Sequence, residues 1–92
     1  MITKVCISKR ARKDLTRIPK HILVNFFTWI RAVEEIGIAQ TRKSKGYHDE
    51  PLKGQRAGQR SIRLNKAYRA IYSIRDEGIE VVIVEEVSKH EY

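Results

Sequence analysis

The sequence predicts an α+β domain in which a helical hairpin packs on one face of a small, antiparallel-rich sheet. A β-rich segment begins the chain, apolar residues then recur at helical spacing as far as residue 40, and three further β-like segments follow residue 59. The predicted order is β-α-α-β-β-β, and because the apolar helix stripes must be buried, we expect both helices to cover the sheet. The length of 92 residues predicts a single domain, residues 1–92.

The first strand and the first helix follow from the start of the chain. Residues 2–7 are rich in β-formers, with Val5 and Ile7 on one face, and predict a strand. Ser8 is a favourable N-cap, and the apolar positions after it keep a helical spacing until Pro19 interrupts them. A short helix is therefore expected between Ser8 and Pro19.

A second, longer amphipathic helix is predicted over residues 20–40. Its apolar side chains recur every three or four residues, as one buried helix face requires. They belong to Ile22, Phe26, Trp29, Ile30, Val33 and Ile36. An aromatic ligand box is the alternative interpretation of Phe26, Phe27 and Trp29, but helical spacing favours core packing.

The C-terminal half is predicted to hold a long loop and three strands. The segment from Thr41 to Gly58 is polar and interrupted by Gly and Pro, and a loop of this length in a small domain tends to be functional. Short turn sequences at Asn65–Lys66 and Arg75–Gly78 separate the β-like segments, so both connections are expected to be hairpins. The three segments are Arg60–Leu64, Ala67–Ile74 and Ile79–Val87.

The charge of the chain predicts a phosphate-rich partner. Nineteen Lys and Arg against eleven Asp and Glu give a net charge of +8, and so basic a small domain typically binds nucleic acid. General solubility is the alternative explanation. The excess is concentrated between Arg42 and Arg69, where Asp49 and Glu50 are the only acids.

Composition also predicts a cytoplasmic protein without a metal or another cofactor. The lone Cys6 permits no internal disulfide, and the sequence contains neither an apolar run long enough to span a membrane nor a signal-peptide pattern. His48, Asp49 and Glu50 are adjacent rather than spaced for one metal-binding face, and no cysteine cluster accompanies them. We therefore expect neither a metal site nor contact with a membrane.

Two arginines on neighbouring predicted strands are candidates for binding phosphate. Ile62 and Leu64 share one face of their strand, so Arg63 is expected on the opposite, uncovered face. Arg69 lies in an otherwise mostly apolar strand, where a guanidinium needs either a carboxylate partner or a groove to face. The acids available for a plain cross-strand ion pair with Arg69 are Glu80, Glu85 and Glu86.

The end of the chain places a histidine and a tyrosine two positions apart. In an extended tail His90 and Tyr92 lie on one side. Histidine exchanges a proton near neutral pH, although a histidine near a terminus is more often simply exposed to solvent.

The C-terminal half resembles a known toxin family. The runs PLKGQRAGQRSIRLNKAYRAIYSI (Pro51–Ile74) and VVIVEEVSKHEY (Val81–Tyr92) are similar to the RelE/HigB/YoeB branch of the RelE/ParE toxin superfamily. The P-L-K-G turn, the S-I-R-L and Y-R-A-I-Y strands and the terminal K-H-x-Y carry the resemblance together, since each motif alone is unspecific. The order of strand, two helices and three strands extends the resemblance over the whole chain.

The resemblance implies a toxin of a type II toxin–antitoxin system. Members of this branch are ribosome-dependent endoribonucleases that cut mRNA, without metal, by attack of a ribose 2′-hydroxyl on the adjacent phosphate. The implied partners are a cognate antitoxin protein, the ribosome and mRNA. Such chemistry needs a proton acceptor, a proton donor and cations around the phosphorane.

The same resemblance implies roles for individual residues. Arg63 and Arg69 match basic strand positions that bind the reacting phosphate. His90 and Tyr92 match the C-terminal catalytic histidine and nearby tyrosine of HigB-like and YoeB-like members, while Glu50 resembles an acid that some members use as a base. The other basic residues expected to contact RNA are Lys43, Lys45, Lys53, Arg56, Arg60 and Lys89.

Two departures from the family pattern leave the acid–base assignment open. Ser61 stands where RelE itself has a further lysine, which excludes a lysine base at that position. Glu91 separates His90 from Tyr92, whereas the histidine and tyrosine are adjacent in YoeB-like tails.

Two other functions are alternatives. A ParE-like protein inhibits DNA gyrase by binding to it, but such toxins generally lack a catalytic set of His and Arg. A plain RNA-binding module needs aromatic side chains on an open face to stack on bases. Tyr68 and Tyr72 are expected on the core-facing side of their strand instead.

Overall fold

The computed structural model describes residues 3–89, which form a five-stranded sheet and two helices. The helices are α1 (Lys9–Leu15) and α2 (Lys20–Arg42). The strands are β1 (Thr3–Ile7), β2 (Glu50–Pro51), β3 (Arg60–Arg63), β4 (Tyr68–Asp76) and β5 (Glu80–Lys89). The predicted α+β class is confirmed, and β2 is an additional two-residue strand within the predicted loop. None of the helices described in residues 3–89 is long and apolar enough to cross a membrane.

The strands form one open sheet in the order β1-β5-β4-β3-β2. β1 pairs with β5 in parallel, and the other three pairings are antiparallel. The chain crosses from β1 to the rest of the sheet through both helices, and such a helical crossover lets the first strand lie parallel to the last.

The hydrophobic core lies between α2 and one face of the sheet. Phe26 and Trp29 are completely buried, and the Trp29 ring lies 5.4 Å from the ring of Tyr72 on β4. Phe27 is 49% exposed and only meets the edge of Phe26. The prediction of core packing is thus confirmed for Phe26 and Trp29, and Phe27 lies at the surface.

The predicted apolar stripe of α2 is wrong at its last position. Ile36 is 55% exposed, whereas Ile38 is buried. Gly37 has a φ of +83°, a left-handed value that glycine adopts readily, and it interrupts the helix. The turn after Gly37 therefore presents a different face to the core.

Helix α1 covers the edge of β5 beyond the end of β1. Ser8 caps the helix, as predicted, because its Oγ accepts a hydrogen bond of 3.0 Å from the Ala11 N–H. The Ser8 hydroxyl also donates to the Glu85 carbonyl. Further along β5, the Val87 N–H donates to the Asp14 side chain at 3.0 Å. This bond satisfies a backbone donor in the part of β5 that β1 does not pair with.

A bulge in β5 decides which of its residues face the helices. Ile71 pairs with Glu86 and Tyr72 with Val84, so Glu85 is an extra residue in the ladder. Val84 and Val87 consequently both face the core. Glu86 and its cross-strand partner Ile71 lie on the opposite face, where Arg10 and Arg56 contact Glu86.

Candidate functional site

Two arginines lie side by side on the uncovered face of the sheet. Ile62 of β3 and Ala70 of β4 are cross-strand partners within the core. The next pair along the same strands, Arg63 and Arg69, therefore points to the other face. The structure places both arginines on the face expected from the alternation of the sequence.

A cleft of about 130 Å³ lies over this arginine pair. Glu50 of β2 and Ser61 of β3, which are cross-strand partners, line it beside the arginines. Three of the predicted site residues meet in the cleft, namely Glu50, Arg63 and Arg69. Its other polar lining residues are His48, Ser61, Asn65, Lys66 and Tyr68.

Arg69 makes no cross-strand ion pair with the candidate acids. Its Nε atom is buried and has no hydrogen-bond partner within residues 3–89. Glu80 instead accepts a hydrogen bond from the Thr3 hydroxyl at 2.9 Å, and Glu86 binds other arginines. A guanidinium whose Nε atom is buried without a carboxylate partner is suited to receive an anion.

Glu86 is the centre of a separate, buried ion-pair cluster on the face of the sheet opposite the core. It accepts from Arg56 at 2.7 Å and from the Ser88 hydroxyl at 2.8 Å, and Arg10 lies 3.3 Å away. Burial alone raises the pKa of Glu86, but the bonds from Arg56 and Ser88 and the charge of Arg10 outweigh it and lower that pKa. Arg56, which was expected to contact RNA, is thus engaged by a carboxylate.

A second cluster anchors the segment before β2 from the core side. The Asp49 side chain is only 1% exposed, accepts from Arg60 at 2.5 Å and lies 3.8 Å from Arg42. The Tyr72 hydroxyl also donates to it. Burial, and then this hydrogen bond to Asp49, raise the pKa of Tyr72 well above its usual value.

The Asp49 cluster separates one predicted RNA contact from the cleft. Arg60 is the cross-strand partner of Tyr72, whose ring lies in the core, so Arg60 faces the helix-covered side. The structure therefore does not bring Arg60 to the arginine pair. Asp49 holds the chain on either side of it, which positions His48 and Glu50 at the rim of the cleft.

The predicted lysines lie at the surface. Lys43, Lys45 and Lys53 are exposed along the segment between α2 and β3. Lys89 is exposed at the end of β5, and as the partner of Tyr68 it alternates away from Arg69. His90 and Tyr92, the predicted C-terminal pair, lie outside the described residues.

His48 also lines the cleft, although the sequence analysis assigned it no part in RNA binding or catalysis. It has a left-handed backbone, with φ +46° and ψ +48°, at the end of a 3₁₀ turn. The available signal was a histidine two residues before Glu50 in a loop expected to be functional, but this histidine was considered only as a metal ligand. Among residues 3–89 no group of three or more His, Cys, Asp or Glu is arranged to hold a metal ion.

The fold is similar to several solved toxin structures. One is a YoeB/ParE toxin from Agrobacterium tumefaciens, with a TM-score of 0.74, 22% identity and coverage of 96% of this chain and 99% of that chain. The RelBE2 toxin–antitoxin complex from Mycobacterium tuberculosis matches with a TM-score of 0.72 and 24% identity, and the match covers 98% of this chain and 100% of that chain. The archaeal RelE–RelB complex from Pyrococcus horikoshii matches with a TM-score of 0.72 and 23% identity, and the match covers 97% of this chain and 96% of that chain.

The sequence itself matches one protein family. No curated protein matches the chain. A family model described as the ParE toxin of the type II toxin–antitoxin system parDE matches residues 5–91. Because this match spans nearly all of the sequence, the chain belongs to the ParE toxin family and is a type II toxin–antitoxin toxin of the RelE/ParE superfamily.

Proposed function

We propose that this toxin is a ribosome-dependent endoribonuclease that cuts mRNA, as its resemblance to RelE-like toxins implies. The observation that carries the proposal is the Arg63–Arg69 pair in the cleft, with the Arg69 Nε buried and without a protein partner in residues 3–89. Two adjacent guanidinium groups supply the forked donors that bind phosphate oxygens. A preorganised pair stabilises the extra charge that a phosphorane develops.

The proposed reaction is an internal transfer within the RNA. The ribose 2′-oxygen attacks the adjacent phosphorus, the bond from phosphorus to the 5′-oxygen breaks, and the products carry a cyclic phosphate and a 5′-hydroxyl. Arg63 and Arg69 bind the non-bridging oxygens. In this proposal His90 protonates the leaving oxygen and Tyr92 assists it. Ser88, two residues before His90, is the cross-strand partner of Arg69.

The exposed lysines are proposed to hold the RNA and the ribosome. Lys43, Lys45 and Lys53 lie on the segment that also forms the rim of the cleft. Their charges are not engaged by salt bridges within the described residues. Exposed lysines bind the phosphate backbone without reading sequence.

The proposed control partner is a cognate antitoxin in the cytoplasm. Two of the similar structures are toxin–antitoxin complexes by their descriptions. A basic toxin with a net charge of +8 favours an antitoxin that is acidic where it contacts the cleft or its rim. Expression of the wild-type chain alone is then expected to arrest growth, and co-expression of the antitoxin to relieve the arrest.

Inhibition of DNA gyrase is the second candidate function, because the matching family model is described as the ParE toxin and ParE-like toxins bind gyrase. One pair of assays separates the two. The purified chain is added to ribosomes translating a defined mRNA, with primer extension to detect new 5′ ends, and in parallel to a gyrase supercoiling reaction. We expect new mRNA ends that require ribosomes and no loss of supercoiling. Loss of supercoiling with intact mRNA would reject the endoribonuclease.

A further inference from the structure

We infer that a second pocket, beside the cleft, binds one unpaired nucleobase of the mRNA next to the phosphate held by Arg63 and Arg69. The inference rests on the proposed cleavage of mRNA. This edge pocket, of about 310 Å³, lies where α2, the 3₁₀ turn Lys45–Tyr47 and the end of β3 meet. The lining residues that could contact a base are Asn25, Ser44, Tyr47, Arg63 and Leu64.

Arg63 connects the edge pocket to the phosphate site, because it lines both the pocket and the cleft. Among residues 3–89, β2 pairs with β3 no further along than Ser61, so the outer edge of β3 has no strand partner beside Arg63. The edge pocket therefore lies around the edge of the sheet from the arginine pair. A base is joined to its phosphate through a single sugar, so a nucleotide bound at Arg63 has a base within reach of the pocket.

The backbone of Arg63 offers a donor and an acceptor at this edge. On the β4 side, the Leu64 N–H donates to the Tyr68 carbonyl at 2.9 Å. Successive residues of an antiparallel strand turn their backbone groups to opposite sides, so the N–H and C=O of Arg63 point to the open edge. Each nucleobase carries donors and acceptors on its Watson–Crick edge, through which proteins read unpaired RNA. The open strand edge can therefore form hydrogen bonds with a base.

The side chains of the edge pocket supply an aromatic ring and polar groups. Tyr47 packs against the core but stays partly exposed at the pocket wall, and unpaired bases stack on such rings. The Ser44 hydroxyl is exposed and does not cap the 3₁₀ turn, so it is available to a base. The Asn25 amide donates to the Leu64 carbonyl at 3.0 Å, which orients its side-chain oxygen as a further acceptor.

The charge near the edge pocket favours RNA as its occupant. Lys43 and Lys45 are exposed on either side of Ser44, and Arg63 forms part of the wall. A base within an RNA chain has a phosphate on each side, and cations bind such phosphates without reading sequence. A base held in the pocket also fixes the sugar and phosphate beside it, and such positioning contributes to the rate.

The first test removes the base from the substrate. Synthetic mRNAs carry one abasic nucleotide, either just before or just after the cut phosphate, and are loaded on ribosomes. Single-turnover cleavage by the wild-type protein is expected to slow about 10–100-fold for one of the two positions, because one stacked base is lost. The wild-type rate at both positions would overturn the proposal.

The second test removes the ring. Tyr47→Leu keeps an apolar side chain against the core and deletes the stacking surface, so intact mRNA should be cut about 10–100-fold more slowly. The sensitive abasic mRNA should then cost this variant little more, since the same contact is already lost. Phe27→Leu makes the same change on α2 outside the edge pocket and should behave like the wild type. A Tyr47→Leu variant as sensitive to the abasic nucleotide as the wild type would place the base elsewhere and overturn the proposal.

A cross-link locates the base in the wild-type protein and does not depend on any variant. The mRNA carries a photoreactive thio-base at the sensitive position and a 2′-deoxy sugar at the attacking position, which blocks cleavage. Irradiation on the ribosome is expected to join the base to residues 44–47, as identified by mass spectrometry of the digested complex. A cross-link confined to other parts of the toxin or to the ribosome would contradict the proposal. A wild-type protein that cuts no intact mRNA would instead reject the proposed endoribonuclease.

Discussion

Arg63 on β3 and Arg69 on β4 stand directly opposite each other, and neither forms a salt bridge within residues 3–89. The Cβ atoms of such partners are about 5 Å apart, and like charges in this position destabilise a sheet. The pair therefore has no evident role in the stability of the fold. A bound phosphate relieves the repulsion, which is the physical basis of the proposed site.

Removing one of these charges is expected to leave the fold as stable as before, or more so. Arg69→Met keeps most of the aliphatic stem and deletes the charge, so its melting temperature should equal or exceed that of the wild type. Arg56→Met is the matched comparison, because it leaves the buried Glu86 without its closest partner and should lower the melting temperature. Equal losses in both variants would show that Arg69 has a structural partner.

The exposed lysines are expected to control the salt dependence of ribosome binding. If Lys43 and Lys45 each contact a phosphate, reversing both to Glu should weaken binding and reduce the logarithmic salt slope by about two. The measurement is co-sedimentation with ribosomes over a range of salt concentrations. Lys13→Glu with Lys20→Glu makes the same change of net charge on the helical hairpin, and a slope lowered equally by this control would contradict the contact.

Asp49 is expected to be essential for stability. Asp49→Ala leaves Arg60 and the Tyr72 hydroxyl without their buried acceptor, and loss of one partner from a buried pair costs about 3–5 kcal/mol. Urea unfolding should show this loss, whereas Glu34→Ala at an exposed position of α2 should change little. A wild-type midpoint for Asp49→Ala would mean that the cluster does not anchor the rim.

Acid should destabilise the protein through Glu86. Its pKa is lowered in the folded state, because Arg56, Ser88 and Arg10 outweigh the effect of burial. A carboxyl with a lowered folded pKa contributes stability above its unfolded value, about 4.3, and loses that contribution as the pH falls through the folded value. Melting temperatures measured downward from pH 6 should therefore fall less in Glu86→Gln than in the wild type, with exposed Glu77→Gln as control.

Local rules predicted much of the fold because they depend on near neighbours. Ser8 as an N-cap and the outward direction of Arg63 both follow from residues within a few positions. Gly37 shows the limit of periodicity, since its left-handed φ changes the buried face and exposes Ile36. A bulge such as that at Glu85 cannot be recognised in an alternating sequence pattern, yet it determines that Glu86 faces away from the core.

The site was predicted only in part, because near neighbours in sequence determine some of its features and distant contacts determine the others. Alternation placed Arg63 and Arg69 on the open face, but the buried partners of Arg56 and Arg60 depend on contacts across 30 and 11 residues of chain. Asp49 was counted among the acids of a polar loop, although its side chain is almost completely buried. Its contacts, which no local pattern encodes, bring His48 to the cleft.

The most direct test of the central claim is the rate at which Arg69→Met cuts ribosome-bound mRNA in a single turnover, at protein concentrations that saturate the ribosomes. Loss of a preorganised charge at the reacting phosphate is expected to slow cleavage about 10²–10³-fold, while the variant still folds and sediments with ribosomes. Arg75→Met, at an exposed position of the same strand, should cut like the wild type. Cleavage by Arg69→Met at the wild-type rate would contradict the proposed phosphate site.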